Sequence, residues 1–367
     1  MEMHDLCVIA VRETRSVLAT VIKVEGHAYR KQGVSMLLTE GGSMYGSISP
    51  GCLEDDLLAR VGRVLESETM ELASYDMRPE DDLSWGETIG CGGLVIVLLE
   101  PVIRELRFVM QQMQCFFDAG ETVSFTRSFD EGSLHVKYDL ARIKPGQVNF
   151  STQKDFTIQK EKPEMFRKQH LSLLSPKGHQ AETWNFPLQI MALYRPKPRL
   201  IIIGAGNDVI PVARLSQSAG FRVVIADWRA SLCTSERFPE AELVQGFPRE
   251  FFAQLCIDEQ DYIILMSHQF LREREMLELL TGSKYAYLGI MGSRTRTARL
   301  LEGLTPPEHV HSPVGMPIGA DGPEEIAISI ASELIACRRK RNSEFPELMT
   351  GKRSGVYAND RYPSGGW

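Results

Sequence analysis

The chain has 367 residues, of which 43% are hydrophobic and 24% charged, and its formal net charge is −7. This composition is ordinary for a globular protein of roughly two domains, and the acidic balance argues against DNA or RNA as a main partner. No apolar run reaches the ~18 residues of a membrane span, and the first residues lack the apolar segment of a signal peptide. We therefore expect a cytoplasmic protein with no membrane partner.

The N-terminal part of the chain alternates between helical and β-rich patterns. Helical spacing of apolar residues predicts helices over 1–17, 54–66 and 102–120. β-rich runs predict strands over 17–24, 33–38, 44–48 and 94–99. Together these elements indicate a small α+β domain.

Two cysteines in this part are flanked by glycines. Cys52 follows Gly51 just before a predicted helix, a position that favours anions, and Cys91 lies between Gly90 and Gly92. Two such loops in one small domain favour a composite pocket; the alternative is that the glycines form turns and the cysteines fill gaps in packing. None of the seven cysteines belongs to a CxxC pair, which argues against a structural zinc site.

A weaker pattern follows the first domain. Short β runs at 121–128 and 134–138 indicate a β extension over 121–192. The stretch 194–198 contains two prolines and is interpreted as a linker. The predicted divisions of the chain are an N-terminal α+β domain, a C-terminal domain and a polar tail, at 1–192, 193–341 and 342–367.

Residues 199–229 have the pattern strand, glycine-rich turn, helix, strand. The apolar run 200–203 is typical of a parallel strand buried on both faces, and Gly204 and Gly206 end it. Asp227 ends the second strand, where a dinucleotide-binding fold places the carboxylate that binds a ribose hydroxyl. The helix start after the turn, at Asn207, favours a phosphate; the alternative is a turn kept for packing alone.

Further buried strands are predicted at 262–266 and 285–290. Helical spacing adds helices at 207–219, 248–255, 271–280, 296–301 and 326–337, and apolar residues around most of the surface of the last predict a packed helix. The fold class is therefore α/β: a C-terminal Rossmann-like doubly wound parallel sheet plus a smaller N-terminal α+β domain.

Two of these strands end in polar residues. Ser267 and His268 follow one strand, and Gly292 and Ser293 follow the next. Ligands of doubly wound folds bind at the carboxyl ends of strands, so His268 is a better site candidate than the other histidines. Its alternative is an ordinary histidine in a surface loop.

The chain resembles the XdhC/CoxI family of molybdenum-hydroxylase accessory proteins. The resemblance covers about 17–101 and 198–339, and it leaves out the middle stretch and the tail. The matching segments are VLATVIKVEG (17–26), GSISPGCLE (46–54), CGGLVIVLLEP (91–101), GAGNDVIPVARL (204–215), Asp227 with Arg229, RFP (237–239), Ser267-His268, LGIMGSR (288–294) and PVGMPIGADGPEEIAISIASELI (313–335).

The resemblance implies a carrier rather than an enzyme. Such a protein would bind molybdenum cofactor, hold it while a cysteine desulfurase replaces an oxo ligand by sulfide, and insert it into a xanthine dehydrogenase-type apo-enzyme, as a homodimer. On this resemblance Cys52 and Cys91 are candidate molybdenum ligands or sulfur-relay thiols. The candidate cofactor-binding residues are Gly51, Cys52, Gly90, Cys91, Gly92, Gly204, Gly206, Asn207, Asp227, Arg229, His268, Gly292 and Ser293.

The chain departs from the family pattern near both glycine turns. Asn207 stands where the family usually has a histidine, so a titratable group is lost there. Pro50 stands where it usually has glycine, and proline removes a backbone donor next to Cys52.

Two other functions remain open. Gly204, Gly206 and Asp227 are compatible with an NAD(P)-dependent oxidoreductase, or with another bound nucleotide, and Arg229 would then accept a 2′-phosphate. No Tyr-Lys catalytic pair follows the turn, which argues against that function. The other alternative is a non-catalytic scaffold that links a cysteine desulfurase to its client.

Overall fold

The N-terminal half is built on a five-stranded antiparallel sheet, in a computed structural model that describes residues 2–77, 93–129, 135–143, 156–159, 189–305 and 310–343. The strand order is β3-β2-β1-β5-β4. The strands are β1 (Ser16–Glu25), β2 (Ser35–Thr39), β3 (Met44–Tyr45), β4 (Glu71–Asp76) and β5 (Leu94–Pro101). All of β5 and most of β1 are buried, so this sheet is covered on both faces.

Helices cover the two faces of this sheet differently. Helix α2 (Glu54–Ser67) packs on the face that presents Val17 and Val97. Helices α1 (Met3–Arg12) and α3 (Arg104–Asp118) pack together in a cluster that contains Leu18 and Leu37. Because neighbouring residues of a strand point to opposite faces, α2 lies on one side of the sheet and the α1–α3 pair on the other.

A second antiparallel sheet has the order β7-β6-β9-β8. Its strands are β6 (Thr122–Phe129), β7 (Val136–Ile143), β8 (Phe156–Gln159) and β9 (Gln189–Tyr194). Phe129 and Ile190 pack against Ile22 and Ile96 of the first sheet. The stretch interpreted as a β extension therefore contributes a sheet that packs face to face on the first one.

A fully buried ion pair joins the two sheets. The Nε of Arg127 lies 2.8 Å from Oε2 of Glu100, and both side chains are 0% exposed. The Arg127 guanidinium also lies 4.4 Å from the centre of the Phe125 ring. The interface between the sheets thus contains a buried charged pair, and the Tyr138 and Tyr194 side chains lie beside its two members.

The C-terminal half is a six-stranded parallel sheet with the order β12-β11-β10-β13-β14-β15. The strands are β10 (Arg199–Ile203), β11 (Arg222–Asp227), β12 (Glu242–Gln245), β13 (Tyr262–Leu265), β14 (Tyr287–Ile290) and β15 (Val310–His311). Strand order reverses between β10 and β13, which makes this point the topological switch of a Rossmann-like sheet. The predicted fold class is confirmed.

Helices cover both faces of the parallel sheet. They are α4 (Val209–Ser218), α5 (Pro248–Leu255), α6 (Phe270–Leu280), α7 (Arg294–Leu301) and α8 (Gly322–Ser343). Side chains of α4 and α8 pack in one core cluster, and those of α5, α6 and α7 in another. Within the described part of the chain no helix has the length and apolarity needed to cross a membrane.

Several element predictions were wrong in detail. The first helix ends at Arg12, not near residue 17, because Ser16 already pairs with Thr39 in the sheet. The third strand is only two residues long, and the short edge strands β4, β12 and β15 were not predicted. The last helix is not packed all round, since Ile328 remains 51% exposed.

The two halves meet at the amino ends of the Rossmann-like strands. Lys197, just before β10, pairs with Asp5 of α1. Arg222, the first residue of β11, donates to the Asp118 carbonyl oxygen at the end of α3, at 3.4 Å. Since the strands run away from these contacts, the carboxyl edge of the parallel sheet lies on the side remote from the N-terminal half.

Candidate functional site

The glycine turn lies at the switch point, directly after β10. Gly204 has φ +131°, and a Cβ there would lie 2.6 Å from the carbonyl oxygen of Met266. A Cβ on Gly206 would lie 2.5 Å from Oδ1 of Asp208. The main-chain neighbour at Met266 therefore accounts for Gly204, as the packing alternative requires, whereas the neighbour of Gly206 is only the end of a side chain.

Asp227 is buried at the end of β11, and both of its carboxylate oxygens are engaged. Oδ2 accepts the Ala205 N–H at 2.7 Å, and Oδ1 accepts the Arg229 N–H at 2.8 Å. The Arg229 side chain completes a two-pronged contact through Nε at 3.0 Å and Nη2 at 2.7 Å. Asp227 thus holds the glycine turn against β11, and a ribose hydroxyl would have to displace Arg229 to reach it.

Arg237 brings a positive charge to the same turn. Its Nη2 donates to the carbonyl oxygen of Ala205 at 2.9 Å and to Oδ1 of Asn207 at 3.1 Å. Both acceptors are uncharged, so these bonds do not cancel the charge of the guanidinium. Arg237 was not selected from the sequence as a site residue, although the motif RFP at 237–239 contains it.

His268 and Asp208 meet across the switch point. Nε2 of His268 lies 2.7 Å from Oδ2 of Asp208, which immediately precedes α4. The side chains are 56% and 28% exposed, so a ligand at this edge can reach them. His268 has φ +57°, a left-handed conformation that is unusual outside glycine. Asp208 was not predicted as a site residue, because its partner is 60 residues away.

A buried carboxylate in α6 fixes the loops after β13 and β14. Oε1 of Glu273 accepts the Ser267 hydroxyl at 3.1 Å and the His268 N–H at 2.9 Å. Oε2 lies 2.6 Å from Nη1 of Arg296. The main-chain N–H of Arg296 donates to Oγ of Ser293 at 3.2 Å. Glu273 therefore positions His268 and the Gly292–Ser293 turn without facing solvent itself.

We expect the His268 imidazole to titrate above its ordinary pKa of 6.5. The hydrogen bond that Asp208 accepts from the imidazole is the main cause of the raised His268 pKa. Burial raises the pKa of Asp208, but this hydrogen bond and the charge of His268 lower it overall. The ion pair therefore contributes its full stabilisation of the fold between pH 3.8 and 6.5, the ordinary pKa values of the two groups. This stabilisation is lost as pH rises through the raised His268 pKa or falls through the lowered Asp208 pKa.

An NMR titration of the imidazole signals tests this prediction. The variant D208N should bring the His268 midpoint back toward 6.5, because the main cause of the shift is removed. A wild-type midpoint at or below 6.5 would contradict the pairing.

The loop before Cys52 is closed by its own side chains. The Glu54 carboxylate accepts the N–H groups of Ile48 at 3.0 Å and Ser49 at 2.7 Å, and Oγ of Ser49 accepts the Gly51 N–H at 3.1 Å. These three N–H groups have acceptors within the loop, so they are not free to bind an anion. Cys52 lies partly buried beside them.

Within one chain Cys52 does not share a cleft with the glycine turn. Cys52 packs on the α2 face of the first sheet, whereas the Rossmann-like half contacts α1 and α3 on the opposite face. The carboxyl edge of the parallel sheet is separated from these contacts by the length of a strand, at about 3.3 Å for each residue. Gly90, Cys91 and Gly92 lie outside the described residues, so the composite pocket with Cys52 stays a prediction.

The described thiols of the Rossmann-like half are either buried near the turn or away from it. Cys233 lies at the carboxyl end of β11 close to Asp227, but it is fully buried, with Sγ 3.7 Å from the carbonyl oxygen of Ile225. Cys256 lies at the amino edge, where its carbonyl oxygen accepts from Arg199, and Cys337 belongs to α8. Among the residues that the structure describes, no group of three or more His, Cys, Asp or Glu could hold a metal ion.

Two family models match the chain in separate stretches. The model described as the XdhC and CoxI family matches residues 10–76, and the model described as the XdhC Rossmann domain matches residues 200–334. The second match contains the glycine turn, Asp227, Arg237 and His268. The first contains Cys52 and its loop.

Relatives match nearly the whole chain. A protein of Bacillus subtilis (strain 168) described as a probable xanthine dehydrogenase subunit is 36% identical over 330 residues, which are 89% of this chain and 94% of that protein. The molybdenum cofactor insertion chaperone PaoD of Escherichia coli (strain K12) is 23% identical over 333 residues, 88% of this chain and 83% of that protein. A crystal structure described as a xanthine dehydrogenase from Bacillus halodurans has a TM-score of 0.75 and 35% identity, covering 96% of this chain and 98% of that chain.

Proposed function

Because the chain belongs to the XdhC and CoxI family, we propose that it is a cytoplasmic accessory protein that binds molybdenum cofactor and delivers it to a xanthine dehydrogenase-type hydroxylase. It acts as a carrier, and it holds the cofactor while an oxo ligand is replaced by sulfide with sulfur from a cysteine desulfurase. The relatives named for xanthine dehydrogenase and for cofactor insertion support this role. The observation that carries it is the set of polar groups at the switch point of the parallel sheet.

These polar groups suit an anionic, hydrogen-bonding ligand. Molybdopterin carries a phosphate, and the start of α4 together with the uncancelled charge of Arg237 favours an anion at the turn. The carboxylate of Asp208 opposes an anion, but His268 offsets it in the pair described above. We assign the phosphate and the pterin edge to Asn207, Arg237 and His268.

The cofactor itself, when bound, supplies a molybdenum held by soft dithiolene sulfurs, for which thiolates are natural neighbours. In the described part of the Rossmann-like half, the thiol near the carboxyl edge is Cys233, which is fully buried beside the end of β11, so the sulfur chemistry needs another source. We assign it to Cys52 of a second chain in a homodimer, since Cys52 of the same chain packs on the face of the first sheet opposite to α1 and α3, which contact the Rossmann-like half.

We expect the substitution C52S to lower activation of the apo-hydroxylase by about tenfold or more, because a sulfur relay through this thiol is lost. The measurement is hydroxylase activity after incubation with cofactor-loaded carrier, desulfurase and cysteine. The matched control is C115S, which removes an exposed thiol in α3.

The outcomes of this experiment separate two functions. Equal losses in C52S and C115S would show a general effect of thiol removal. Full activation by C52S, with no pterin bound to the carrier, would instead favour the scaffold that links the desulfurase to its client.

The NAD(P) oxidoreductase is the less supported alternative. In such an enzyme Asp227 would bind a ribose hydroxyl of the nucleotide, but its oxygens already accept hydrogen bonds from Ala205 and Arg229. Titration with NADH and NADPH measures this directly, and micromolar binding of either would restore the alternative.

A further inference from the structure

Helix α8 carries an apolar stripe on its solvent side. Ile328 is 51% exposed and Ile335 37% exposed, and their separation of seven positions, about two helical turns, places both on one face. Ser332, a small residue, lies between them on the same face. The opposite side of the helix packs into the core through Ala327 and Leu334. The stripe is therefore an exposed face of an otherwise buried helix.

Charged residues extend this face at both ends and change sign along it. Glu325 is exposed one turn before Ile328, and Arg339 is exposed one turn after Ile335. The positions 325, 328, 332, 335 and 339 are three and four residues apart in alternation, which is the spacing of a helix–helix seam. The face has its acid at the amino end, its base at the carboxyl end and its isoleucines between them.

We propose that a second copy of this chain docks on this face, with the two α8 helices antiparallel about a two-fold axis. The axis passes near Ser332, where small side chains allow close approach. Ile328 of each copy then packs on Ile335 of the other, and Glu325 of each lies beside Arg339 of the other. A parallel arrangement would place like charges together, so the charge pattern selects the antiparallel pair.

The neighbouring loop widens this surface. Ile318 is 56% exposed, and its loop is held on α8 where Oγ of Ser329 donates to the Met316 carbonyl oxygen at 2.6 Å. The helix itself is about 33 Å long, at 1.5 Å per residue, which gives the seam the length of a small domain. The proposal names a surface for the homodimer of the proposed function but does not depend on the cofactor.

The first test is the mass of the full chain by sedimentation over a range of concentrations. The double variant I328D/I335D should weaken the dimer by about 100-fold or more, because each Asp would be buried without a partner. The matched control L271D changes an apolar side chain in α6 that is 78% exposed, and it should stay dimeric. Circular dichroism melting of each variant shows whether the chain remains folded.

A charge-reversal test keeps the apolar seam intact. The single variants E325R and R339E should each be monomeric at concentrations where the wild type is dimeric, because like charges would meet at both ends. An equimolar mixture of the two should form a heterodimer, in which opposite charges meet again. Glu325 also accepts the Asp321 N–H, so rescue in the mixture separates the seam from this local bond.

Two results would overturn the proposal. One is a wild-type chain that stays monomeric at all concentrations, and the other is a dimer unaffected by I328D/I335D, which would place the interface elsewhere. Neither result bears on pterin binding.

Discussion

The substitution G204A is expected to lower the free energy of unfolding by about 3 kcal/mol or more, the sum of backbone strain and overpacking. The backbone at Gly204 has φ +131°, and an added Cβ would lie 2.6 Å from the Met266 carbonyl oxygen. That oxygen belongs to the main chain and cannot move without shifting the end of β13. The turn would move away from Asp227 and carry Asn207 with it. Equilibrium denaturation in urea measures the loss.

The matched control for this prediction is G303A in the same half of the molecule. Gly303 also has a positive φ, +74°, but among the described residues other than its two chain neighbours no atom lies within 4 Å of its Cβ position. Only the left-handed strain applies there, so the expected loss is about 1 kcal/mol. Equal losses of unfolding free energy in the two variants would show that the contact with Met266 does not add to the destabilisation of G204A.

Removing one partner of the buried Arg127–Glu100 pair is expected to lower the free energy of unfolding by about 3–5 kcal/mol, because the remaining charge is left unpaired in the interface between the sheets. R127M removes the cation and E100L the anion. The double variant should recover most of the loss, since apolar side chains of similar size fill the space between β5 and β6. Unfolding of the four proteins gives a double-mutant cycle that isolates the interaction.

An exposed ion pair provides the comparison for this cycle. Arg15 and Glu40 pair on the surface, with side chains 54% and 45% exposed, so R15M should leave stability unchanged. If R127M were as mild as R15M, the two sheets would not depend on the buried pair. If the double variant were as unstable as the single ones, the pair would contribute net stability beyond satisfying its own charges.

The sequence predicted the Rossmann-like half well because its signals are local. The apolar run 200–203, the two glycines and the terminal acid fall within 30 residues, and the structure has each in the predicted element. The role of Asp227 was less predictable, since Ala205 and Arg229 take up its oxygens only after the strands pair. The pattern of residue types does not report which hydrogen bonds compete for one carboxylate.

Long-range arrangement explains most of what sequence reasoning missed. The Asp208–His268 pair depends on the parallel pairing of β10 with β13, and the separation of Cys52 from the turn depends on how α1 and α3 meet the second half. Helical spacing on α8 indicated burial, but periodicity cannot tell a face covered by the chain from a face left exposed. The exposed Ile328 is visible only in the fold.

We propose the carboxyl edge of the parallel sheet as the binding site for molybdenum cofactor. The most direct measurement is the pterin content of the purified chain, from cells that make molybdopterin and from cells that cannot, by fluorescence after oxidation. We expect stoichiometric pterin from the first cells alone, with a large loss in R237Q and none in R214Q, which changes an exposed arginine of α4. Pterin absent from the wild type, or retained equally by R237Q and R214Q, would contradict cofactor binding at this edge.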